Sequence, residues 1–577
     1  MTKLQDKPDD ISIDAKSTTS LDSQYNEKST ASKGNLFSRL LESISLQKDC
    51  QLSLSENFLL NEDLQPVFDK TERPWHWYNF VFLWVAESFN INTWQIASSG
   101  IIAGLSWWET WISVWLGYSI LGCFIFISQR VGSHYHVPFP VGARTSFGTF
   151  GSIWPILNRV VMGCVWYSVQ AWLGGESFAL VLKAIFGANI EEKIPNKIAS
   201  SGTSSFHFLS YFLFCLISLP FIYFRPQQIR HLFTVKAWTC AIAGVAFLVW
   251  TIVRAGGIGP VVHHKTSLTG SAHAWAFVIS TMNCVANFAT LVINSPDFSR
   301  LAYSPSSSSY SQLIAIPCGF SITALIGILA SSASTSMFGE TYWSPLDLLN
   351  RYVESGTAGD RAGVFFIAGS FVLAQIGTNI SANSISVGTD GSALLPRFIN
   401  IRRGGFICAT IAFCLCPWNF FTSAANFTTY LSAYAVFLSS VAGVVAADYL
   451  VVRRGYINVF HLYSNKREYH YSYNKFGINW RGYAAYICGI LPNVVGFAGA
   501  VGTKVPIGAT YIYNVSFFSG YITAFAVYCF LCWLSPVPGI PLKNFITEKG
   551  WYEQNINYDV DDFVEAMGRP DDFVRIR

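Results

Sequence analysis

The run Trp84-Val-Ala-Glu-Ser-Phe-Asn-Ile-Asn-Thr-Trp94 sets Glu87, Ser88, Asn90, Asn92 and Thr93 inside a stretch otherwise apolar enough to cross a bilayer. Hydrocarbon offers none of them a hydrogen bond. Polar groups persist at that depth where protein encloses them or where they line a cavity, so the run points to a solute site and the chain to a carrier. Lys236 is a second ionisable group within an apolar run, where a charge is costly and tends to be functional. Plainer alternatives are a structural hydrogen bond from Glu87 to a later span, and snorkelling of Lys236 to the interface that Arg230 marks.

Val165-Trp-Tyr-Ser-Val-Gln-Ala-Trp-Leu-Gly-Gly175 places Trp166 and Gln170 four residues apart, hence on one helix face. An indole plane beside a carboxamide suits a flat heterocycle with amide edges: the ring stacks, and the amide meets its N–H and C=O groups. A Trp at the lipid interface and a Gln packed between helices are the plainer readings, and Trp172, on the opposite side, is expected to take that role. Ala374-Gln-Ile-Gly-Thr-Asn-Ile-Ser-Ala-Asn-Ser-Ile-Ser386 carries Gln375, Thr378, Asn379 and Asn383 at hydrocarbon depth. Asn383 is expected to meet a second edge of the same ligand, and Asn379 to hydrogen-bond between helices.

Positioning these residues takes a membrane protein. The 577-residue chain is 51% hydrophobic and 16% aromatic but only 12% charged, which excludes an ordinary soluble protein. Apolar segments fall near residues 79–101, 109–128, 158–185, 207–224, 231–253, 273–295, 312–336, 362–388, 405–422, 427–452, 482–502 and 515–537, which predicts about 12 transmembrane helices, numbered here as spans 1 to 12. Cytoplasmic loops would carry roughly fourteen Lys or Arg, among them Arg225, Arg397, Arg402, Arg403, Arg453, Arg454 and Arg481, against about six outside. Both termini are therefore expected in the cytoplasm. The outer connection from Glu340 to Arg361 is expected to hold a short surface helix. Span 1 should break at Ser88 to Thr93; span 6 should break at Asn283 to Asn287 and again before Asn294-Ser-Pro-Asp297. Paired broken helices suggest a five-plus-five inverted repeat with two extra C-terminal helices.

The first 60 residues are rich in Ser, Lys, Asp and Gln with no apolar leader. They read as a disordered cytoplasmic tail whose Lys3, Lys7, Lys16, Lys28, Lys33 and Lys48 make it a candidate for phosphorylation and ubiquitin-linked turnover. Residues 61–540 read as the transporter domain and 541–577 as a cytoplasmic C-terminal tail. A net charge of +4 without a basic stripe excludes nucleic acid as partner. Of the thirteen cysteines, all but Cys50 fall in or beside apolar runs and read as small buried hydrophobes, the Cys414-Leu-Cys416 pair included. His134 and His136 lack a third ligand, so no metal site is expected. Asp297 and Arg300 read as an inner gate or loop contact. A channel would show a repeated filter motif, and a membrane enzyme clustered His, Asp or Glu at one interface; the sequence has neither.

The chain resembles the nucleobase-cation-symport-1 transporters, specifically the fungal uracil, uridine and allantoin permeases. The resemblance rests on Asn61-Glu-Asp-Leu-Gln-Pro66, Trp77-Tyr-Asn-Phe80, Gly104-Leu-Ser-Trp-Trp108, Asn294-Ser-Pro-Asp-Phe-Ser-Arg300, Tyr342-Trp-Ser-Pro-Leu-Asp347, Gly377-Thr-Asn-Ile-Ser-Ala-Asn-Ser384, Pro417-Trp-Asn419, Ala446-Ala-Asp-Tyr-Leu-Val-Val-Arg-Arg-Gly455 and Gly477-Ile-Asn-Trp-Arg481. Only the first 60 and the last 35 or so residues fall outside it.

The resemblance implies alternating-access symport at the plasma membrane of uracil or a close relative, with uridine and allantoin as alternatives, and no cofactor. It puts a neutral substrate between Trp166 and Phe288, with Gln170, Asn287, Asn383 and Asn90 at its edges, which fits the lack of an Arg or Lys clamp. It also implies a sodium site made of carbonyls near Ala86 and Phe89 and of two adjacent hydroxyls in span 8. Gly377-Thr378 supplies only one of these, which favours H⁺ over Na⁺ as coupling ion, with Glu87 and Lys236 as the titratable candidates.

Overall fold

Span 1 is two helices, Trp77–Ser88 (1a) and Ile91–Ile102 (1b), parted at Phe89 and Asn90. Asn90 caps the second half: its Oδ1 accepts from the Asn92 amide at 3.0 Å. Asn favours such caps because its short amide competes with helical backbone bonding. Span 6 hinges at Phe288, between Gly270–Asn287 (6a) and Ala289–Ser299 (6b). The expected second break before Asn294 is absent, since 6b runs unbroken through Pro296. Proline there offers no N–H to the Val292 carbonyl, but the Ser295 hydroxyl donates to that carbonyl at 3.2 Å. The helix survives.

The computed structural model describes residues 45–46, 58–263, 265–421, 424–464, 468–539 and 550–554, and all but the first two belong to the body spanning Leu52–Arg577. The tail lysines, Cys50 and most of 541–577 lie outside the described residues. Those described are helical apart from loops and one bridge, Trp75 to Ala302. Among the described residues, ten helices are long and apolar enough to cross a bilayer, including Trp107–Tyr135 (span 2), Ile153–Phe186 (span 3), Ser205–Ile222 (span 4), Pro226–Ala255 (span 5), Pro305–Phe338 (span 7) and Ala358–Leu394 (span 8). The two expected spans not among the ten are span 1, divided as above, and span 9, a 13-residue helix, Ile401–Phe413. The protein is a multi-pass membrane protein. Span 10 is Ala424–Ala447, running on into a π-turn at Asp448–Val452, and span 8 holds another at Asn379–Ser384; such turns often mark functional sites. The surface helix expected near 340–361 is Pro345–Glu354.

Span 2 packs on span 7, span 3 on span 8, span 4 on span 9 and 1b on 6a. Small residues permit the close approaches: a Cβ at Gly175 would meet Tyr211 Cα at 2.6 Å, and one at Gly117 the Thr281 carbonyl oxygen at 2.7 Å. Without a hydrophobic force between helices in lipid, such small-residue seams are where spans adhere.

The chain before span 1 straps the end of the bundle where Arg300 and Arg403 lie. Arg144 donates to the Phe58 and Leu462 carbonyls at 3.0 and 2.8 Å, so residues 58–60 belong to the folded body and not to the tail assigned to them from sequence. His136 contacts Arg73 and the Arg300 carbonyl; burial, then the Arg73 charge, depresses its pKa to about 3. Past residue 540, Glu553 pairs with Arg130 and lies 3.5 Å from His134.

Candidate functional site

At the break in span 1, four helices converge on one charged cluster. Lys236 of span 5 is fully buried, so it does not snorkel. Its Nζ donates to Thr378 Oγ1 at 2.6 Å and lies 3.4 Å from Glu87 Oε1. Ser381 donates to the same Glu87 oxygen at 2.7 Å, and Asn90 Nδ2 to Thr378 Oγ1 at 3.2 Å. Breaking a pair this dry by removing one partner leaves a bare charge and is costly. Glu87 Oε2 has no hydrogen-bond partner among the described residues, and Glu87 lines a small cavity with Trp84, Leu291, Ser295, Phe298, Gln312 and Ser381, among others.

Gly377 explains how the lysine gets there. A Cβ on it would lie 2.5 Å from Lys236 Cδ, so the side chain passes over the one residue of that turn lacking a branch. Ala86 is buried beside Glu87, and the ring of Phe89 packs on Gly244 of span 5. The ammonium therefore meets Thr378 at the place where the resemblance implied an ion.

The other expected substrate residues are buried on spans 3, 6 and 8. Trp166 and Gln170 are buried on span 3, and Gln170 Oε1 has no partner among the described residues. Trp166 meets Tyr434 of span 10 edge-on, centroids 5.5 Å apart, while the Tyr434 hydroxyl donates to the Ala286 carbonyl at the span 6 hinge. Asn287 Nδ2 donates to Tyr118 at 3.0 Å. Phe288 meets Phe320 edge-on at 4.9 Å. Asn383 Nδ2 donates to Asn379 Oδ1 at 3.0 Å within the span 8 π-turn, which leaves its carbonyl oxygen to present.

Asn90 differs from the others. Its Oδ1 caps 1b and its Nδ2 serves Thr378, so both ends of its amide bond within the protein. Trp172 is buried against Tyr211 and Trp418, not at the lipid interface. Asp297 and Arg300 do not pair: Arg300 donates to the Asp63 carbonyl, and Asp297 contacts Arg159 at 2.8 Å. Sequence reasoning missed Tyr118, Tyr434, Ser381, Arg159 and Asp390; charge within an apolar run was the available signal for the last two.

Residues 66–520 match the family model described as permease for cytosine/purines, uracil, thiamine and allantoin. The chain is 50% identical over 522 residues to the uracil permease of Saccharomyces cerevisiae, covering 89% of this chain and 82% of that one. Against the allantoin permease of the same yeast it is 50% identical over 511 residues, 87% and 80% of the two chains, and against its uridine permease 46% over 510 residues, 88% and 80%. Its fold is that of Mhp1, a nucleobase-cation-symport-1 transporter solved closed with bromovinylhydantoin bound: TM-score 0.66 at 19% identity, covering 88% of this chain and 99% of that one.

Proposed function

The chain belongs to the nucleobase-cation-symport-1 permeases, the family for cytosine/purines, uracil, thiamine and allantoin, and from that premise we propose that it imports uracil or a closely related small neutral heterocycle by proton-coupled symport. It is a permease, not an enzyme. The yeast relatives named for uracil, allantoin and uridine support the substrate class, and charge bias supports the Arg-rich end as the cytoplasmic face of this plasma-membrane carrier. The packing of spans 1 to 4 on spans 6 to 9 in turn supports a five-plus-five repeat.

The observation that carries the coupling is Lys236 Nζ on Thr378 Oγ1 at 2.6 Å. A tethered ammonium there meets the oxygen that a sodium ion would need, which leaves a proton as the mobile charge. Glu87 Oε2, the unpartnered oxygen, is where the proton sits. Neutral Glu87 no longer holds Lys236, and span 1 loosens from spans 5 and 8. Trp166 and Phe288 enclose the ring, and Gln170, Asn383 and Asn287 read its edges. Asn90 holds the break in span 1.

Uptake of labelled uracil competed with unlabelled uracil, uridine, allantoin, thiamine, cytosine and hypoxanthine tests the reading. The expected result is strongest competition by uracil, or by uridine or allantoin. Trp166→Ala, delivered normally, should raise the KM in line with about 1 to 3 kcal/mol of lost stacking. Competition by none of the panel, or an unchanged KM in the variant, contradicts it.

A further inference from the structure

Arg159 stands near the start of span 3 with its guanidinium between two carboxylates. Nε and Nη2 grip both oxygens of Asp390 in span 8, while Nη1 reaches Asp297 Oδ2 of 6b at 2.8 Å. The guanidinium also lies 4.4 Å from the Phe139 ring centroid, and the Phe139 amide donates to Asp297 Oδ1 at 2.9 Å. All three charged side chains are at most 1% exposed. None belongs to the substrate face or to the Glu87–Lys236 cluster.

The two arms differ. Spans 3 and 8 lie along one another, so the two-bonded Arg159–Asp390 pair sits within one packed unit. Helix 6b instead packs chiefly on span 2, with smaller contacts to spans 10, 8 and 3, and midway along it Asn294 donates to the Ala382 carbonyl at 3.1 Å. Ser295 and Phe298, flanking Asp297, line the cavity that adjoins Glu87. Moving 6b outward would part Asp297 from Arg159 and open that cavity toward the Arg-rich end.

We propose that Arg159 is the fixed post of an inner latch, that Asp297 is its moving arm, and that their contact closes the route from the Glu87 cavity to that end. Opening leaves no guanidinium bare, because Arg159 keeps its two-bonded hold on Asp390, the stronger kind of ion pair. Closing is not over-stabilised either: one guanidinium faces two carboxylates, and the excess buried negative charge opposes closure. A gate that must reopen in every cycle needs that balance. The latch rests on the orientation given above but not on which heterocycle is carried.

The test labels a reporter cysteine, Leu291→Cys, in the full-length protein, with a membrane-impermeant maleimide applied to one face at a time and no substrate present. The labelling rate is read against the same variant retaining Leu291. Asp297→Ala should raise labelling from the cytoplasmic face about tenfold, equivalent to about 1.4 kcal/mol, whereas Asp297→Glu should stay at the parent rate. Asp360→Ala, which removes the partner of Arg254 at the other end, controls for general loosening and should leave cytoplasmic labelling unchanged. Where Asp297→Ala is not delivered to the membrane, Arg159→Lys carries the same test, since a single nitrogen on a shorter stem cannot reproduce the three-nitrogen fork that holds both carboxylates. An increase with reagent applied only outside supports the latch and overturns the orientation. Unchanged labelling from both faces in Asp297→Ala and Arg159→Lys overturns the latch.

Discussion

Gly377 makes room for the lysine that meets Thr378. Read in the sequence, it is a lost oxygen ligand; in the structure it is also the clearance through which Lys236 reaches Thr378. Gly377→Ser would force a Cβ to within 2.5 Å of Lys236 Cδ, so uptake should fall at least about tenfold, the effect of about 1.4 kcal/mol, with the protein still delivered. Kinetics of labelled uptake at fixed surface amount check this. Joining it to Lys236→Ala restores two adjacent hydroxyls and removes the tethered cation, so any recovered uptake should respond to Na⁺. Glu87 and Lys236 were legible because charge in an apolar run stands out. Their pairing, which two opposite charges in apolar runs suggest, is seen at 3.4 Å. That Lys236 also binds Thr378 was not legible, because the two lie 142 residues apart and only tertiary packing sets that distance.

Among the elements, the breaks in spans 1 and 6 were legible where polar side chains compete with the helix for its own amides. Asn90 is such a case, and its role separates cap from ligand. Asn90→Ala should cost about 0.5 to 2 kcal/mol of stability, seen as a lower melting temperature of the purified protein without substrate, and Asn90→Ser, which still caps, should recover most of it. Unchanged melting in the alanine variant would mean that the amide serves substrate alone. The second break expected in span 6 failed for the converse reason: Ser295 repairs the carbonyl that Pro296 leaves open, and the sequence does not show which way a serine turns. The aromatic neighbours of the site escaped for a similar reason. Tyr118 and Tyr434 sit in ordinary apolar runs, and only the fold brings them to Asn287 and Trp166.

For the whole molecule, composition and span count made the membrane fold legible, and the quoted motifs made the family legible, because hydrophobic length and motif chemistry are local properties. The relation between units is not local. Arg159, Asp297 and Asp390 come from three separate spans and meet only in the assembled bundle. The central claim is that the protein supplies its own fixed cation and moves a proton. The most direct measurement is accumulation of labelled uracil in de-energised membrane vesicles, with either a pH gradient imposed in choline medium or a Na⁺ gradient imposed at uniform pH. Transient accumulation is expected under the pH gradient alone, with collapse on adding a protonophore and loss in Glu87→Gln while equilibrium exchange persists. Accumulation that requires the Na⁺ gradient and ignores pH would contradict it and return the ion to the carbonyls of Ala86 and Phe89 and the hydroxyl of Thr378.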